Sequence, residues 1–357
     1  MGYDRRTFLK QALGATGAGL AVPLLAACSP SAAPTSTAQR VPPGAPTVAP
    51  LAAKGVTRVS CGFASINPYQ LVPIVGNEKP ELAGAFGIEF DLVTTTNAPN
   101  ALNALIGGSV DTAIATPDAS WAAQDKAPNV KQLLALANGT PYVLIAQPEI
   151  TRVADLKGLT VGASAIRGGA DTTALRVMLA ENGLKDTDYT IVQAGAVAEK
   201  SAAMKARTVQ AVAQLEPQAT LLRDEGFKEL DNANNYPPLK NVHSTLLVSR
   251  TSWYQARSDV AVGLVRAWDA ITRWLYDAAN KDEVLALINK TMNVGDRAAQ
   301  NAYNLHIGQQ VVAQDLHIKE VFMQQFIDNQ KKAGGENLPT DPMKYVDASV
   351  LDKALRM

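Results

Sequence analysis

An alternation of short β-rich runs with amphipathic helical segments is the feature that most constrains this 357-residue chain. One series of strand candidates runs from Thr57 to Gln147, and a second runs from Leu159 to Arg250. Because parallel strands need crossover connections, usually helices, the pattern predicts an α/β protein whose sheets are largely parallel. Beyond Arg250 the strand candidates stop, and mostly helical periodicity continues to Met357.

Each series contains the same short unit, in which a helix is followed by a small turn and a strand that ends at a proline. The two units span 101–119 and 201–219, and Pro117 and Pro217 open the next helix. Proline is tolerated there because the first N–H groups of a helix have no intrahelical partner. Strand ends and helix N-termini meet at one edge of such a sheet, so two sheets predict two edges that face each other across a cleft.

The N-terminal segment has the pattern of an export signal. Arg5 and Arg6 begin the run RRTFLK, which carries the twin-arginine pattern, and an uncharged, weakly hydrophobic stretch follows to residue 27. The tetrapeptide LAAC, which ends in Cys28, resembles the bacterial lipobox, in which cleavage precedes a cysteine that is then lipidated. We therefore expect a twin-arginine lipoprotein signal peptide over 1–27, and a lipid on Cys28 that anchors the chain outside the cytoplasm, in the periplasm or at the cell surface.

Composition restricts the remaining chain further. Residues 28–55 are dominated by Ser, Pro, Thr, Ala and Gly, a composition that predicts a flexible tether. Without residues 1–27 the chain has 30 Lys and Arg against 32 Asp and Glu, so it has no basic field for nucleic acid. Cys61 is the one cysteine besides Cys28, which excludes an intramolecular disulfide after lipidation, and its apolar surroundings predict a core position.

Four stretches of the chain carry a resemblance to a known family. They read ALIGGSVDTAIATPDA, ITRVADLKGLTVGASAIRGGADTTALRVMLAENGL, QLEPQATLLRDEGFKEL and KYVDASVLDKAL. Together they resemble the substrate-binding proteins of ABC importers in the sulfonate, nitrate and taurine branch, which is related in fold to NMT1/THI5-like proteins. The resemblance extends from about Val56 to the C-terminus.

The resemblance implies a type II periplasmic-binding-protein fold, with two α/β lobes joined by two crossing strands and a helical C-terminal part. The crossings are expected around Gln147 and 244–249, which assigns 56–146 plus 249–357 to lobe 1 and 147–248 to lobe 2. It also implies a monomeric receptor that captures a small molecule, closes its lobes and delivers the solute to an ABC permease driven by a cytoplasmic ATPase. No chemistry on the solute is implied.

Candidate ligand contacts follow the ends of successive strands, because ligands of open α/β sheets bind beyond the carboxyl ends of the strands. A second reading of Asp118 and Asp171 is that they cap helices, since aspartate is a favoured N-cap residue. The candidate ligand-binding residues are Ser65, Asn67, Thr116, Asp118, Tyr142, Ser164, Arg167, Gly168, Gly169, Asp171, Thr172 and Glu216.

The segment 164–172 concentrates several of these groups. Gly168 and Gly169 let the backbone approach a ligand, and the helix that follows presents unpaired N–H groups. Arg167 is suited to clamp a sulfonate or carboxylate, whereas Asp171 competes for the same amides and repels an anion. The sequence leaves open which of the two faces the ligand. It contains neither a G-x-G-x-x-G fingerprint nor a P-loop at this position.

Aromatic residues near predicted strand ends offer an alternative ligand class. They are Tyr69, Trp121, Tyr142, Tyr236 and Trp253, and one or two of them are suited to stack on a planar ring. The leading expectation is a small organic anion such as an alkanesulfonate. The alternative is a planar heteroaromatic or aromatic compound, such as a pyrimidine, a vitamin precursor or a benzoate-like acid.

Catalysis is the least favoured class. His243, His306 and His317 lack close metal-ligand spacing, and no triad or carboxylate pair can be argued from the sequence. Pyrimidine-synthase-like enzymes share the fold, but their cysteine-rich loop and iron-linked histidine have no counterpart here. We therefore expect a binding protein that is not an enzyme and uses no cofactor or metal.

Overall fold

A computed structural model describes residues 55–95, 98–166, 169–333 and 337–357. The expected signal peptide, Cys28 and nearly all of the expected tether lie outside these residues, as do the candidate contacts Arg167 and Gly168. Among the described helices, none is both long and apolar enough to cross a membrane.

The described residues form ten strands in two mixed five-stranded sheets. In chain order the strands are β1 (Thr57–Phe63), β2 (Ile88–Thr94), β3 (Thr112–Ala115), β4 (Val130–Asn138), β5 (Tyr142–Ala146), β6 (Thr160–Ala163), β7 (Thr190–Gln193), β8 (Ala211–Leu215), β9 (Lys228–Asn232) and β10 (His243–Arg250).

Fourteen α-helices surround the sheets in the described part of the chain. They are α1 (Leu71–Glu78), α2 (Pro80–Gly84), α3 (Ala98–Ile106), α4 (Pro117–Lys126), α5 (Ala170–Glu181), α6 (Val197–Lys205), α7 (Gln218–Asp224), α8 (Pro237–Lys240), α9 (Thr251–Ala256), α10 (Ser258–Tyr276), α11 (Lys281–Met292), α12 (Asp296–Tyr303), α13 (Glu320–Lys332) and α14 (Ser349–Leu355).

The two sheets share one plan. The first has the order β2-β1-β3-β10-β4, and the second has the order β7-β6-β8-β5-β9. In each, the second strand is parallel to the first and third, while the fourth is antiparallel to both of its neighbours. The repeated sequence unit places β3 and β8 in the same third position, so the predicted internal repeat is confirmed.

The chain crosses between the sheets at 139–141 and again at 233–242. These positions precede the predicted ones, because β5 belongs to the second sheet and β10 to the first. Both strands are almost completely buried, and a buried strand does not indicate from its sequence which of two sheets it joins. We propose a corrected division in which lobe 1 comprises 55–138 and 243–357, and lobe 2 comprises 142–232.

One strand was not predicted at all. β9 has the sequence KELDN and lies at the edge of the second sheet, where it pairs with β5 alone. Its charged and polar side chains suit an exposed edge, since charges there discourage pairing with other chains. The same composition lacks the alternation of apolar and polar residues by which strands are predicted.

The long helix α10 supplies much of the core of lobe 1. Leu264, Trp268, Ile271 and Leu275 form an apolar stripe at helical spacing, and all four are buried. The indole of Trp268 meets the ring of Phe90 from β2 edge to face, with 5.8 Å between ring centroids. The stripe explains why this helix covers the first sheet.

Two smaller predictions are also confirmed. Cys61 is buried in the core of lobe 1, and burial raises the pKa of its thiol to about 12. Gly183 follows α5 with a left-handed φ of 84°, as the Asn-Gly pair predicts for a helix C-terminus.

Candidate functional site

A backbone N–H and a carboxylate join the carboxyl edges of the two sheets directly. The Gly169 N–H donates a hydrogen bond of 2.9 Å to Oδ2 of Asp118. Asp118 lies in the first turn of α4 in lobe 1, while Gly169 immediately precedes α5 in lobe 2. Gly169 has a φ of 83°, a left-handed conformation that favours glycine. Two residues predicted from separate strand ends are therefore brought together.

The second oxygen of the Asp118 carboxylate is different. Oδ1 is buried and has no hydrogen-bond partner among the described residues. No described cation lies within ion-pair distance of this carboxylate either. Since a buried polar atom is nearly always paired in a folded protein, Oδ1 is a vacant acceptor between the lobes.

Asp171 has its partners inside lobe 2. Its Oδ2 accepts hydrogen bonds from Ser164 N–H at 2.8 Å and from the Lys200 ammonium at 2.9 Å, and Oδ1 accepts one from the Ser164 hydroxyl. Burial alone would raise the pKa of Asp171, but the positive charge of Lys200 and the Ser164 hydrogen bonds hold it below its usual value. This carboxylate is ionised and fully occupied within its own lobe.

Lys200 is a residue that the sequence reasoning missed. Its ammonium also donates to the Ala213 carbonyl at 2.6 Å, and its side chain is 2 % exposed. Within the sequence VAEKSAAMK of α6 it looks like any surface lysine, so no local signal marks it as buried.

The two threonine positions that follow Gly169 hold the loop before α5. The Thr172 hydroxyl donates to the Ala165 carbonyl at 2.8 Å, and the Thr173 hydroxyl donates to the Gly169 carbonyl at 2.9 Å. Thr172 is buried. These bonds fix the backbone that presents the Gly169 N–H to Asp118.

Both carboxylate oxygens of Glu216, which follows β8, also have partners. Its Oε2 accepts from the Thr220 N–H at 3.0 Å and from the Thr220 hydroxyl at 2.7 Å, and Oε1 forms an ion pair with Arg223. The Asn301 side chain of α12 donates to the same hydroxyl at 2.8 Å. The group therefore joins α7 of lobe 2 to α12 of lobe 1.

The candidates at the ends of β1 and β3 have local roles in the structure. Asn67 caps the 3₁₀ turn Pro68–Gln70, since its Oδ1 accepts from Tyr69 N–H at 3.0 Å. Its Nδ2 donates to the Ser65 hydroxyl at 3.3 Å. Thr116 is partly buried and precedes α4 without a side-chain capping bond.

A buried polar group lies between the lobes, and we call Tyr69, Tyr142, Ser244 and His306 the inner polar group. His306 Nε2 is buried without a hydrogen-bond partner among the described residues. The hydroxyl of Tyr69 faces those of Ser244 and Tyr142, and its ring meets His306 edge to face at 5.7 Å. Burial, above all, raises the pKa of both tyrosines, so both hydroxyls keep their protons.

Lys200 lies between the inner polar group and the Asp171 carboxylate. The Lys200 ammonium lies 5.4 Å from the centroid of the Tyr142 ring while it binds Asp171. His306 lies in the π-helical turn Asn304–Gly308, and its Nδ1 donates to the Ala302 carbonyl at 3.1 Å. Its Nε2 is therefore an acceptor, and burial lowers the pKa of this histidine to about 4.

The other aromatic candidates pack away from this region. Trp121 meets Phe326 of α13 at 5.7 Å, within lobe 1. Trp253 is buried in the core of lobe 1, and the Tyr236 hydroxyl donates to Asp231 at 2.5 Å. Tyr69 and Tyr142 are thus the aromatic candidates that lie where the lobes meet. Within the described ranges, no cluster of three His, Cys, Asp or Glu side chains is arranged to hold a metal ion.

Comparison with solved structures shows a shared fold. The ligand-binding component of an ABC-type import system from Staphylococcus aureus, with zinc bound, has a TM-score of 0.71 at 17 % identity, over 84 % of this chain and 100 % of that one. The nitrate-binding protein NrtA from Synechocystis PCC 6803 has a TM-score of 0.67 at 16 % identity, over 84 % and 89 %. The alkanesulfonate-binding protein SsuA from Xanthomonas axonopodis pv. citri, bound to MOPS, has a TM-score of 0.62 at 17 % identity, over 85 % and 99 %.

These similarities establish the periplasmic-binding-protein fold that the sequence predicts, with two α/β lobes and two crossings. No curated protein matches the chain. A family model described as NMT1/THI5 like matches residues 85–280, which is more than half of the 357 residues. The chain therefore belongs to the NMT1/THI5-like family.

Proposed function

We propose that this protein is the extracytoplasmic solute-binding receptor of an ABC importer. The observation that supports the proposal most strongly is the bond from Gly169 N–H to Asp118 Oδ2, which joins the carboxyl edges of the two sheets. These edges are where open α/β sheets bind ligands. Two buried acceptors with no described partner, Asp118 Oδ1 and His306 Nε2, lie near the same boundary, and a site for a small polar solute needs such groups.

Transport by this route needs lobe closure. A solute that contacts both lobes has a higher affinity for the closed form, so it shifts the population toward closure. The crossings at 139–141 and 233–242 are the connections about which the lobes would rotate. The permease would then distinguish the closed from the open receptor by its surface, and the cytoplasmic ATPase would drive uptake. The receptor works as a monomer and does no chemistry on its solute.

Export and anchoring complete the proposal. The twin-arginine segment at Arg5 and Arg6 directs export, and a lipid on Cys28 anchors the receptor to the membrane outside the cytoplasm, in the periplasm or at the cell surface. The composition of 28–55 lets the lobes move at a distance from the lipid while they stay close to the permease.

Two ligand classes enter the proposal. A small organic anion such as a sulfonate is supported by the named specificities of two structural neighbours and by Arg167 in the loop before α5. A planar heteroaromatic or aromatic compound is supported by Tyr69 and Tyr142, the two aromatic candidates between the lobes. A pyrimidine-synthase-like activity is the remaining alternative, and turnover of a pyrimidine precursor by the isolated protein would reveal it.

A thermal-shift screen tests the receptor function. The purified protein is screened against alkanesulfonates, carboxylates, nitrate, amines, pyrimidines and flavins, and a true ligand at about 100 times its Kd adds about 2.7 kcal/mol of stability. If an anion is the ligand, Arg167→Ala should weaken its binding, because a bidentate charge-assisted contact is removed. Arg152→Ala is the matched control, since Arg152 is an exposed lobe 2 arginine paired with Asp155. Equal affinity of the Arg167 variant and the native protein for the anion would contradict the role of Arg167.

A further inference from the structure

We propose that the solute carries a positively charged N–H group, an ammonium or an amidinium, that donates to Oδ1 of Asp118. The inference rests on the proposed receptor function and adds to it the chemical class of the group that lobe 1 recognises. The role proposed here for Asp118 is independent of the role proposed above for Arg167.

The two oxygens of the Asp118 carboxylate differ in their hydrogen bonds. Oδ2 already accepts the Gly169 N–H, while Oδ1 is buried and receives no hydrogen bond from the described residues. A buried carboxylate oxygen without a donor is costly, so a bound donor would relieve the cost. An acceptor-only atom selects an N–H or O–H group, and it excludes the oxygens of a sulfonate or nitrate.

The three carboxylates beside the cleft differ in their counter-charges. The Asp171 carboxylate is neutralised by Lys200, and Glu216 is neutralised by Arg223, which also binds Glu229. Asp118 has no such counter-charge among the described residues. A cationic group on the solute would therefore give this carboxylate both a hydrogen bond and a counter-charge.

A second acceptor without a described donor lies apart from Asp118. His306 is completely buried, and its Nε2 has no partner in the described chain, while its ring meets that of Tyr69, whose hydroxyl faces those of Ser244 and Tyr142. Contacts lead from them through Tyr142, Lys200 and Asp171 to the loop that binds Asp118. Asp118 Oδ1 and His306 Nε2 are thus two buried acceptors without a described donor, and of the two Asp118 is the carboxylate.

The test compares probes of equal shape and different charge. Benzamidine is cationic, benzamide is its neutral counterpart and benzoate is its anionic counterpart, while butylammonium and butanesulfonate form an aliphatic pair. We expect benzamidine or butylammonium to raise the Tm of the native protein at millimolar concentration, and their neutral or anionic counterparts to have no comparable effect. This comparison needs no variant, so it does not depend on how well a variant folds.

Asp118→Asn then tests the residue. The amide keeps an acceptor for Gly169 but removes the charge, so the affinity for the cationic probe should fall by about 10- to 100-fold. Asp125→Asn is the matched control, because Asp125 lies on the same helix with an exposed side chain, and its affinity should match that of the native protein.

The outcomes separate the inference from the receptor function. If neither cationic probe binds, or if Asp118→Asn binds it as tightly as the native protein, the inference is wrong. If anions alone from the wider screen bind, and Asp118→Asn binds them more tightly, the inference is wrong while the receptor function stands. If no compound of any charge changes the Tm, the receptor function itself fails.

Discussion

The acidic side chains beside the cleft differ in what they can still offer a solute. Asp171 is paired with Lys200 and Glu216 with Arg223, whereas one buried oxygen of Asp118 has no described partner. The sequence identifies all three as candidates by their position after a strand. It could not rank them, because Lys200 lies 29 residues from Asp171 and resembles a surface lysine on α6.

The buried pair of Lys200 and Asp171 predicts a large effect of one substitution. Lys200→Met leaves the Asp171 carboxylate buried without its counter-charge, and we expect the free energy of unfolding to fall by about 3–5 kcal/mol. Urea denaturation at neutral pH measures the change. Adding Asp171→Asn to the variant should recover part of the loss, since the stranded charge is then removed.

A control for this prediction lies on the same helix. Lys205 pairs with Glu225 at 2.5 Å, but both side chains are about half exposed. Lys205→Met should therefore cost less than about 1 kcal/mol. A similar, small cost for both lysine variants would contradict the stabilising role assigned to Lys200.

Among the secondary-structure elements, side chains join the end of β4, where the first crossing begins, to the start of β10, where the second crossing ends. The ring of His243, at the start of β10, contacts the Asn138 side chain at the end of β4 through Nδ1 at 3.0 Å, and its Nε2 accepts from the Lys319 N–H at 2.8 Å. The β-rich runs in the sequence predict these strands but not the sheet that each one joins. Sheet membership depends on pairing between segments far apart in sequence, such as the register between Leu247 and Ile114.

The buried histidines predict a loss of stability in mild acid. Burial, the main cause in both, lowers the pKa of His243 and of His306 to about 4, from an ordinary value of 6.5. The unfolded chain therefore binds protons below about pH 6.5 that the folded protein excludes, so stability is present above that pH and falls as pH falls toward 4. Between pH 7 and pH 5 each histidine should cost about 2 kcal/mol of unfolding free energy.

Urea denaturation across this pH range checks the sign and the size. His306→Gln should reduce the loss of unfolding free energy between pH 7 and pH 5 by the amount expected of one histidine. His317→Gln, at a position whose side chain is 44 % exposed, serves as the control. Stability that rises between pH 7 and pH 5 would contradict the burial of neutral imidazoles in the fold.

For the whole molecule, the alternation of strand and helix and the repeated unit predict two similar sheets, and the structure contains them in one shared order. Function depends on something the alternation does not encode, namely which loop of one sheet meets which loop of the other. The contact of Asp118 with Gly169 is of this kind, because it joins residues 51 positions apart across two lobes.

The central claim is that a solute closes the lobes, and the distance between them measures it most directly. Spin labels at Asp125→Cys in lobe 1 and Lys205→Cys in lobe 2 occupy exposed sites, the native Cys61 is buried, and Cys28→Ser removes the second native thiol. Electron–electron double resonance then reports the distribution of label distances with and without the solute found in the screen. A saturating solute should shift the distribution to one narrower, shorter population. An unchanged distribution at saturation would contradict the claim.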